Sequence, residues 1–225
     1  MEMYRFFGQP KFDPEHIAAG PIGYELFIRE NINGEWVLPH DFISIPSTIF
    51  GDLLRQTVSA LPQTIDLISF NLEQEHFVQE QYLQLVQAVQ RCTRVVLYTE
   101  LTERNAESVT VPQLVDAAKH FHEYGLRVVL DDVGTEQNNE QLASAMDDYV
   151  DEYKFALQNL RPFSSIAQIK PELAHWWQLA KQHDKTLAIE GIESAEELAL
   201  IRAEFPSEIV QGYFLGKPAL LPIKE

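Results

Sequence analysis

Positive charge is scarce in this chain. Its 17 lysines and arginines stand against 34 aspartates and glutamates, a formal net charge of −17. A surface of that sign repels polyanions, which argues against generic nucleic-acid binding through a basic face. Cysteine is scarcer still. Cys92 stands alone, which excludes an internal disulfide and a cysteine-rich zinc site. No apolar run approaches the about 18 residues that mark a membrane span. The opening MEMYRFFGQP lacks a basic segment followed by an apolar core, so no secretory signal is expected. A cytoplasmic protein with no membrane association is the expectation. No low-complexity linker, strong repeat or composition break divides the chain, and residues 1–225 read as one domain. That length lies near the lower end of the range, roughly 200 residues upward, in which (β/α)8 barrels occur.

What the chain does contain is an alternation of short apolar runs and amphipathic stretches. Residues 65–71 (IDLISFN), 95–103 (VVLYTELTE), 127–130 (RVVL), 149–157, 186–190 (TLAIE) and 209–215 read as strands, and Glu25 joins the strand-end residues if 22–28 is the first strand. Residues 75–92 carry helical spacing. Pro112 opens a helix that Gly125 stops, Pro171 opens another, and Ser194 with Glu197 has the spacing of a capping box. Such a rhythm favours a parallel α/β sheet, open or closed.

The polar residues that end these apolar runs are the informative ones. RVVLDDVG ends in two adjacent carboxylates, Asp131 and Asp132, followed by Val133 and Gly134. Two unit charges about 4 Å apart repel by roughly 4 kcal/mol at an effective dielectric of about 20, so a cation, a shared proton or full solvation must relieve them. Glu25, Asn71, Glu103, Lys154, Glu190 and Gln211 end or punctuate the other runs. Oxygen donors without thiolate suit magnesium, manganese or calcium, and no histidine ends an expected strand. Closing the sheet would gather these ends at one mouth, where several acids around two cations suit in-line attack on a phosphodiester.

In order along the chain, these segments resemble the motifs of the EAL domain family, which hydrolyses cyclic di-GMP. GYELFIRE resembles the namesake motif, with Glu25 as its glutamate and Arg29 as its phosphate-contacting arginine. ISFNLEQ supplies Asn71, TELTER Glu103, LDDVGT Asp131 and Asp132, VDEYKFA Asp151 and Lys154, AIEGIES Glu190 and Glu193, and VQGYFLGKP Gln211. The resemblance implies a (β/α)8 TIM-like barrel with an antiparallel first strand. It implies two Mg²⁺ or Mn²⁺ ions held by Glu25, Asn71, Glu103, Asp131 and Asp132. Lys154 would position the nucleophilic water, and Glu190 would be the general base. Glu193 and Gln211 would complete the water and metal shell, and Arg29, Gln211 and Asp151 would lie against the cyclic di-GMP ligand. The product would be linear pGpG.

Two positions depart from that pattern. The loop after the paired aspartates reads Gly134, Thr135, Glu136, Gln137, Asn138, Asn139 where the family commonly has GTGYSS, and Ala156 stands where an aspartate is usual. A loop that loses a glycine has less backbone freedom. The alternative to an enzyme is therefore a degenerate EAL domain that senses cyclic di-GMP or contacts a protein. A metal-dependent barrel enzyme of another kind, such as an enolising lyase, is a third reading. A homodimer or a regulatory protein partner is left open, and regulation is expected to come from outside the chain or to be absent. Simpler roles exist for several residues: Arg29 pairing with Glu30 or Glu35, Asn71 capping a helix, and Glu190 with Glu193 facing a helix N-terminus.

Overall fold

The computed structural model describes residues 3–135, 137–163 and 165–224. In chain order the elements are β1 (Tyr4–Lys11), β2 (Gly23–Ile32), β3 (Glu35–Val37), α1 (Ser47–Ala60), β4 (Leu67–Leu72), α2 (Gln74–Phe77), α3 (Glu80–Gln90), β5 (Val96–Leu101), α4 (Val111–Glu123), β6 (Arg127–Leu130), α5 (Glu140–Ala145), β7 (Glu152–Ala156), α6 (Lys170–Gln182), β8 (Thr186–Glu190), α7 (Ala195–Glu204), β9 (Ile209–Val210) and β10 (Ala219–Leu220).

The ten strands among the described residues belong to one sheet ordered β10-β1-β2-β4-β5-β6-β7-β8-β9, with β3 paired to β2. From β2 through β4 to β9 every neighbour in the wall is parallel, whereas β1 runs antiparallel to β2. The sheet curls until its ends meet. Phe12, just past β1, bridges Val210 of β9 in antiparallel sense, with both main-chain hydrogen bonds at 2.9 Å. With β3 and β10 set aside as edge strands, the eight remaining strands form a TIM-like barrel with an antiparallel first strand.

That strand is not the one the sequence suggested. The segment bearing Glu25 is the second strand and runs with the others; the antiparallel one is Tyr4–Lys11. Its apolar content is broken by Arg5, Gly8, Gln9 and Pro10, so period alone did not separate it from a loop. The run at 75–92 is two helices, because Gln79 Nε2 donates to the Glu75 carbonyl at 2.7 Å and its own N–H turns to His76. The run at 209–215 is strand only over Ile209–Val210. Beyond it the chain turns, with Phe214 donating to Ile192 and Leu215 to Gly212. Ser194 caps α7 by accepting the Glu197 N–H at 3.1 Å, but the Glu197 carboxylate accepts from Glu193 N–H at 2.7 Å and does not complete a capping box. Gly125 ends α4 as expected, at φ 70°, where a side chain would be strained.

Side chains alternate between two environments. On β7, Tyr153 and Phe155 face the helices, Tyr153 meeting Trp176 of α6 edge-on at 5.7 Å, while Lys154 between them faces the barrel axis. Burial of Phe6, Phe50, Phe70, Val86, Phe121 and their neighbours supplies the apolar layer outside the barrel, at roughly 25 cal/mol per Å² removed from water. Inside the barrel the filling is different. Bulky branched side chains usually occupy it; here Lys11, Glu25, Glu100, Glu152 and Lys154 are each 2% exposed or less.

Candidate functional site at the barrel mouth

The carboxyl ends of the parallel strands open into a cavity of about 610 Å³ lined by Glu25, Asn71, Glu103, Asp131, Asp132, Lys154, Glu190, Glu193 and Gln211, with Arg29, Arg104 and Tyr213 around it. Ten residues singled out from the sequence, Arg29 among them, thus converge on one place. The cavity continues over the rim into an apolar chamber lined by Phe42, Ile45, Phe50 and Tyr82.

Lys154 is its organising cation. The Nζ lies 2.7 Å from Glu100, 2.9 Å from Asp131, 3.1 Å from Glu25 and 3.3 Å from Glu190. Burial opposes its charge, but the surrounding carboxylates, Asp131 and Glu100 foremost, outweigh it and hold the pKa well above that of an ordinary lysine. It thereby relieves part of the repulsion inherent in the Asp131–Asp132 pair. Asp131 also accepts the Asp132 N–H at 2.9 Å. Burial first, and then Glu100, push Glu25 up to about 7. Burial likewise pushes Glu190 up to about 7 against the pull of Lys154, and raises Asp131 well above the usual carboxylate range.

Glu25 is held from three sides. Asn71 Nδ2 donates to its Oε1 at 3.0 Å, and Gln211 Nε2 donates to its Oε2 at 2.7 Å. Gln211 also reaches Gln9 of β1 at 3.2 Å. Gln158, just after β7, donates to Glu190. The Arg29 guanidinium lies over the rings of Phe7 and Phe27, 5.9 and 5.8 Å from their centroids, and donates to the Ile28 carbonyl at 3.0 Å. Glu193 is half exposed and faces Arg161 at 3.5 Å.

Two corrections arise. Asp151 precedes β7 and so sits at the amino end of the parallel strands, opposite the mouth. It pairs with Arg127 and accepts the Val128 N–H at 2.9 Å, which pins the start of β6 and keeps it from the cavity. Glu103 does line the cavity, but β5 ends at Leu101, so it projects from the loop beyond the strand. The glutamate inside the barrel on that strand is Glu100, fully buried and absent from the sequence-based set. Its register with Asn71 sets it on the inner face, which the run 95–103 alone does not distinguish from that of Glu103. Lys11, Gln9 and Gln158 were missed because each lies outside the recognised runs or after a strand end.

The residues suit a hard divalent cation. Oxygens of Glu103, Asp131 and Asp132 lie within 4.8 Å of one another. Asp132 Oδ1 is buried without a hydrogen-bond partner among the described residues, and Asp132 is held at φ 47°. Amide and carboxylate oxygens with no thiolate or imidazole among them are the donor set for magnesium, manganese or calcium. The divergent loop has its own anchors. Asn138 donates to the carbonyls of Leu101 and Asp131, and Asn139 caps α5 by accepting from Gln141 and Leu142. Glu136 lies outside the described residues. No helix among the described residues is long and apolar enough to cross a membrane.

No curated protein matches the chain in sequence. Solved structures share its fold. The Bd1971 EAL enzyme with cAMP and cyclic di-GMP bound has a TM-score of 0.79 at 20% identity, over 97% of this chain and 62% of that one. The Bacillus subtilis YkuI protein, in complex with substrate cyclic di-GMP and calcium, has 0.75 at 22%, over 96% and 56%. The FimX EAL domain from Pseudomonas aeruginosa, bound to cyclic di-GMP, has 0.75 at 17%, over 96% and 91%. The chain therefore spans less than two thirds of Bd1971 and YkuI. The family model for the EAL domain matches residues 7–218, from within β1 to beyond β9, and the chain belongs to the EAL domain family.

Proposed function

We propose that this protein is a divalent-metal-dependent phosphodiesterase that opens cyclic di-GMP to linear pGpG. The observation that carries the reading is the convergence of Lys154 with Glu25, Asp131 and Glu190 at the floor of a cavity rimmed by Arg29 and Arg104. A plain structural barrel gains nothing from such a cluster, since desolvating charges costs several kcal/mol per ion and apolar residues fill the same space at least as well. Perturbed carboxyls gathered in a cleft mark a functional site.

Glu25, Asn71, Glu103, Asp131 and Asp132 are the residues that would hold Mg²⁺ or Mn²⁺. The bound cations would supply positive charge against the charge that develops on the phosphate oxygens. The chain's own groups do the rest. Arg29 binds a phosphate oxygen. Lys154 holds the attacking water by a hydrogen bond, and Glu190, oriented by Gln158, takes its proton as the P–O bond forms and the P–O3′ bond breaks. Asn71 and Gln211 keep the Glu25 carboxylate turned toward the cavity, and Glu193 orders solvent at its edge. Removing a proton-transfer group of this kind costs about 10²–10⁴ in rate.

The test is conversion of cyclic di-GMP to pGpG in Mn²⁺ or Mg²⁺, stopped by chelation and lost in Glu25→Ala. Tight cyclic di-GMP binding without turnover in either metal would instead support a sensor. The departure of residues 134–139 from the family's loop favours that second reading. The two anchors that Asn138 and Asn139 provide, and the presence of all the expected ligand types, favour the enzyme.

A further inference from the structure

Lys11 lies at the end of the antiparallel strand β1, outside every motif that defines the site, yet it is 1% exposed and its side chain enters the barrel. Its Nζ donates to Glu100 Oε1 at 2.9 Å. The other oxygen of the same carboxylate, Glu100 Oε2, accepts from Lys154 Nζ at 2.7 Å. Glu100 is thus clamped between two ammonium groups, one from below and one that reaches up to Glu25, Asp131 and Glu190. Glu152 completes this lower tier, also 1% exposed, with neither carboxylate oxygen hydrogen-bonded among the described residues.

The geometry points to Lys11 as a positioning residue, which fixes Glu100 and through it the place of the Lys154 ammonium among the carboxylates at the barrel mouth. The argument is electrostatic and geometric. Glu100 makes the shortest of the four contacts to Lys154. With Lys11 in place, one oxygen of Glu100 and much of its charge are already matched, so Lys154 remains shared with the upper carboxylates. Without Lys11, an uncompensated buried carboxylate would draw Lys154 down and away from Asp131 and Glu190. A displacement of about 1 Å at a group that orients a nucleophile can cost about 10²-fold in rate. The kinetic half of this inference rests on the phosphodiesterase reading; the structural half does not.

The experiment compares wild type with Lys11→Met, Lys11→Gln and Lys11→Arg. In metal-free protein, side-chain ¹⁵N spectra of lysine resolve buried ammonium groups, and the signal of Lys154 is assigned by its loss in Lys154→Met. Lys11→Met is expected to displace the Lys154 signal. In Mn²⁺ it is expected to lower kcat for cyclic di-GMP by about tenfold or more while KM stays within about twofold, and Lys11→Arg is expected to recover part of kcat. Lys11→Gln keeps a donor toward Glu100 and serves if the methionine variant does not fold. An unmoved Lys154 signal in a folded variant, or an unchanged kcat, overturns the assignment. Wild type without turnover would sink the phosphodiesterase reading alone, because the spectral comparison still reports on Lys11.

Discussion

The side-chain amide of Asn138 donates to the main-chain oxygen of Asp131 at 2.5 Å, and the same nitrogen reaches the Leu101 oxygen at 2.9 Å. One residue of the divergent loop therefore ties the ends of β5 and β6 together beneath the paired aspartates. Asn138 is fully buried, so no water replaces the lost donor on truncation. Asn138→Ala should destabilise the protein by about 1–3 kcal/mol, and Asn138→Asp by more, because a carboxylate would face two carbonyl oxygens. Chemical denaturation of the three proteins checks the order; a stability equal to wild type in both variants would show that the clasp is dispensable.

Lys154 is the one cation in direct contact with Glu25, Asp131 and Glu190 among the described residues. Lys154→Met leaves those carboxylates facing one another. Turnover should fall by about 10²-fold or more, and near pH 8 the protein should lose about 3–5 kcal/mol, the usual result of breaking a buried pair from one side. Acidification should restore part of that stability, since protonation removes the repulsion. Denaturation of the variant at pH 5 and pH 8 measures it.

Glu152 lies lower in the barrel, where burial raises its pKa to about 7 despite the pull of Lys11. In the unfolded chain a glutamate titrates near 4.3. Between those values the folded state binds more protons than the unfolded one, so stability from this group is full below about pH 4.3 and is lost as pH rises through about 7. Glu152→Gln has no such dependence. Its stability relative to wild type should rise from pH 5 to pH 8 by on the order of 2 kcal/mol, read as a shallower decline of melting temperature with pH. A constant difference across that range would mean that Glu152 is ionised throughout.

Gly191 follows the general-base candidate directly. Its φ is 77°, and a Cβ would overlap Gln158 Oε1 and lie 2.9 Å from the Gln158 main-chain nitrogen. Gly191→Ala should push Gln158 off Glu190, lowering kcat by about tenfold with a smaller change in KM. Gln158→Ala should reproduce the kinetic loss without the backbone strain. A normal kcat in both would remove Gln158 from the mechanism.

Most of the mouth is legible in the sequence. Strands with a clean apolar run and an abrupt polar end, such as residues 127–130 and 186–190, announce both their secondary structure and their inward terminal residue, because parallel strands carry function at their carboxyl ends. Asn71, Glu103, Asp131, Asp132, Glu190 and Gln211 were found that way, Lys154 as a charge inside such a run, and Glu25 and Arg29 were given their roles by the resemblance of GYELFIRE to the family motif.

The linear order of residues could not reveal which of two nearby glutamates faces the barrel axis. Glu100 and Glu103 differ by three positions, and the choice depends on where β5 stops and on its register with β4. Nor could it show that Lys11 reaches Glu100 across 89 residues of chain, or that Asp151 belongs to the opposite end of the barrel. Local periodicity determined the alternation of strands and helices and the identity of the residues at their ends, since those follow from neighbours in the chain. Curvature, closure through Phe12 and Val210, and the pairing of buried charges were decided only by tertiary structure, because desolvation and Coulomb attraction act between groups that the backbone brings together from distant positions.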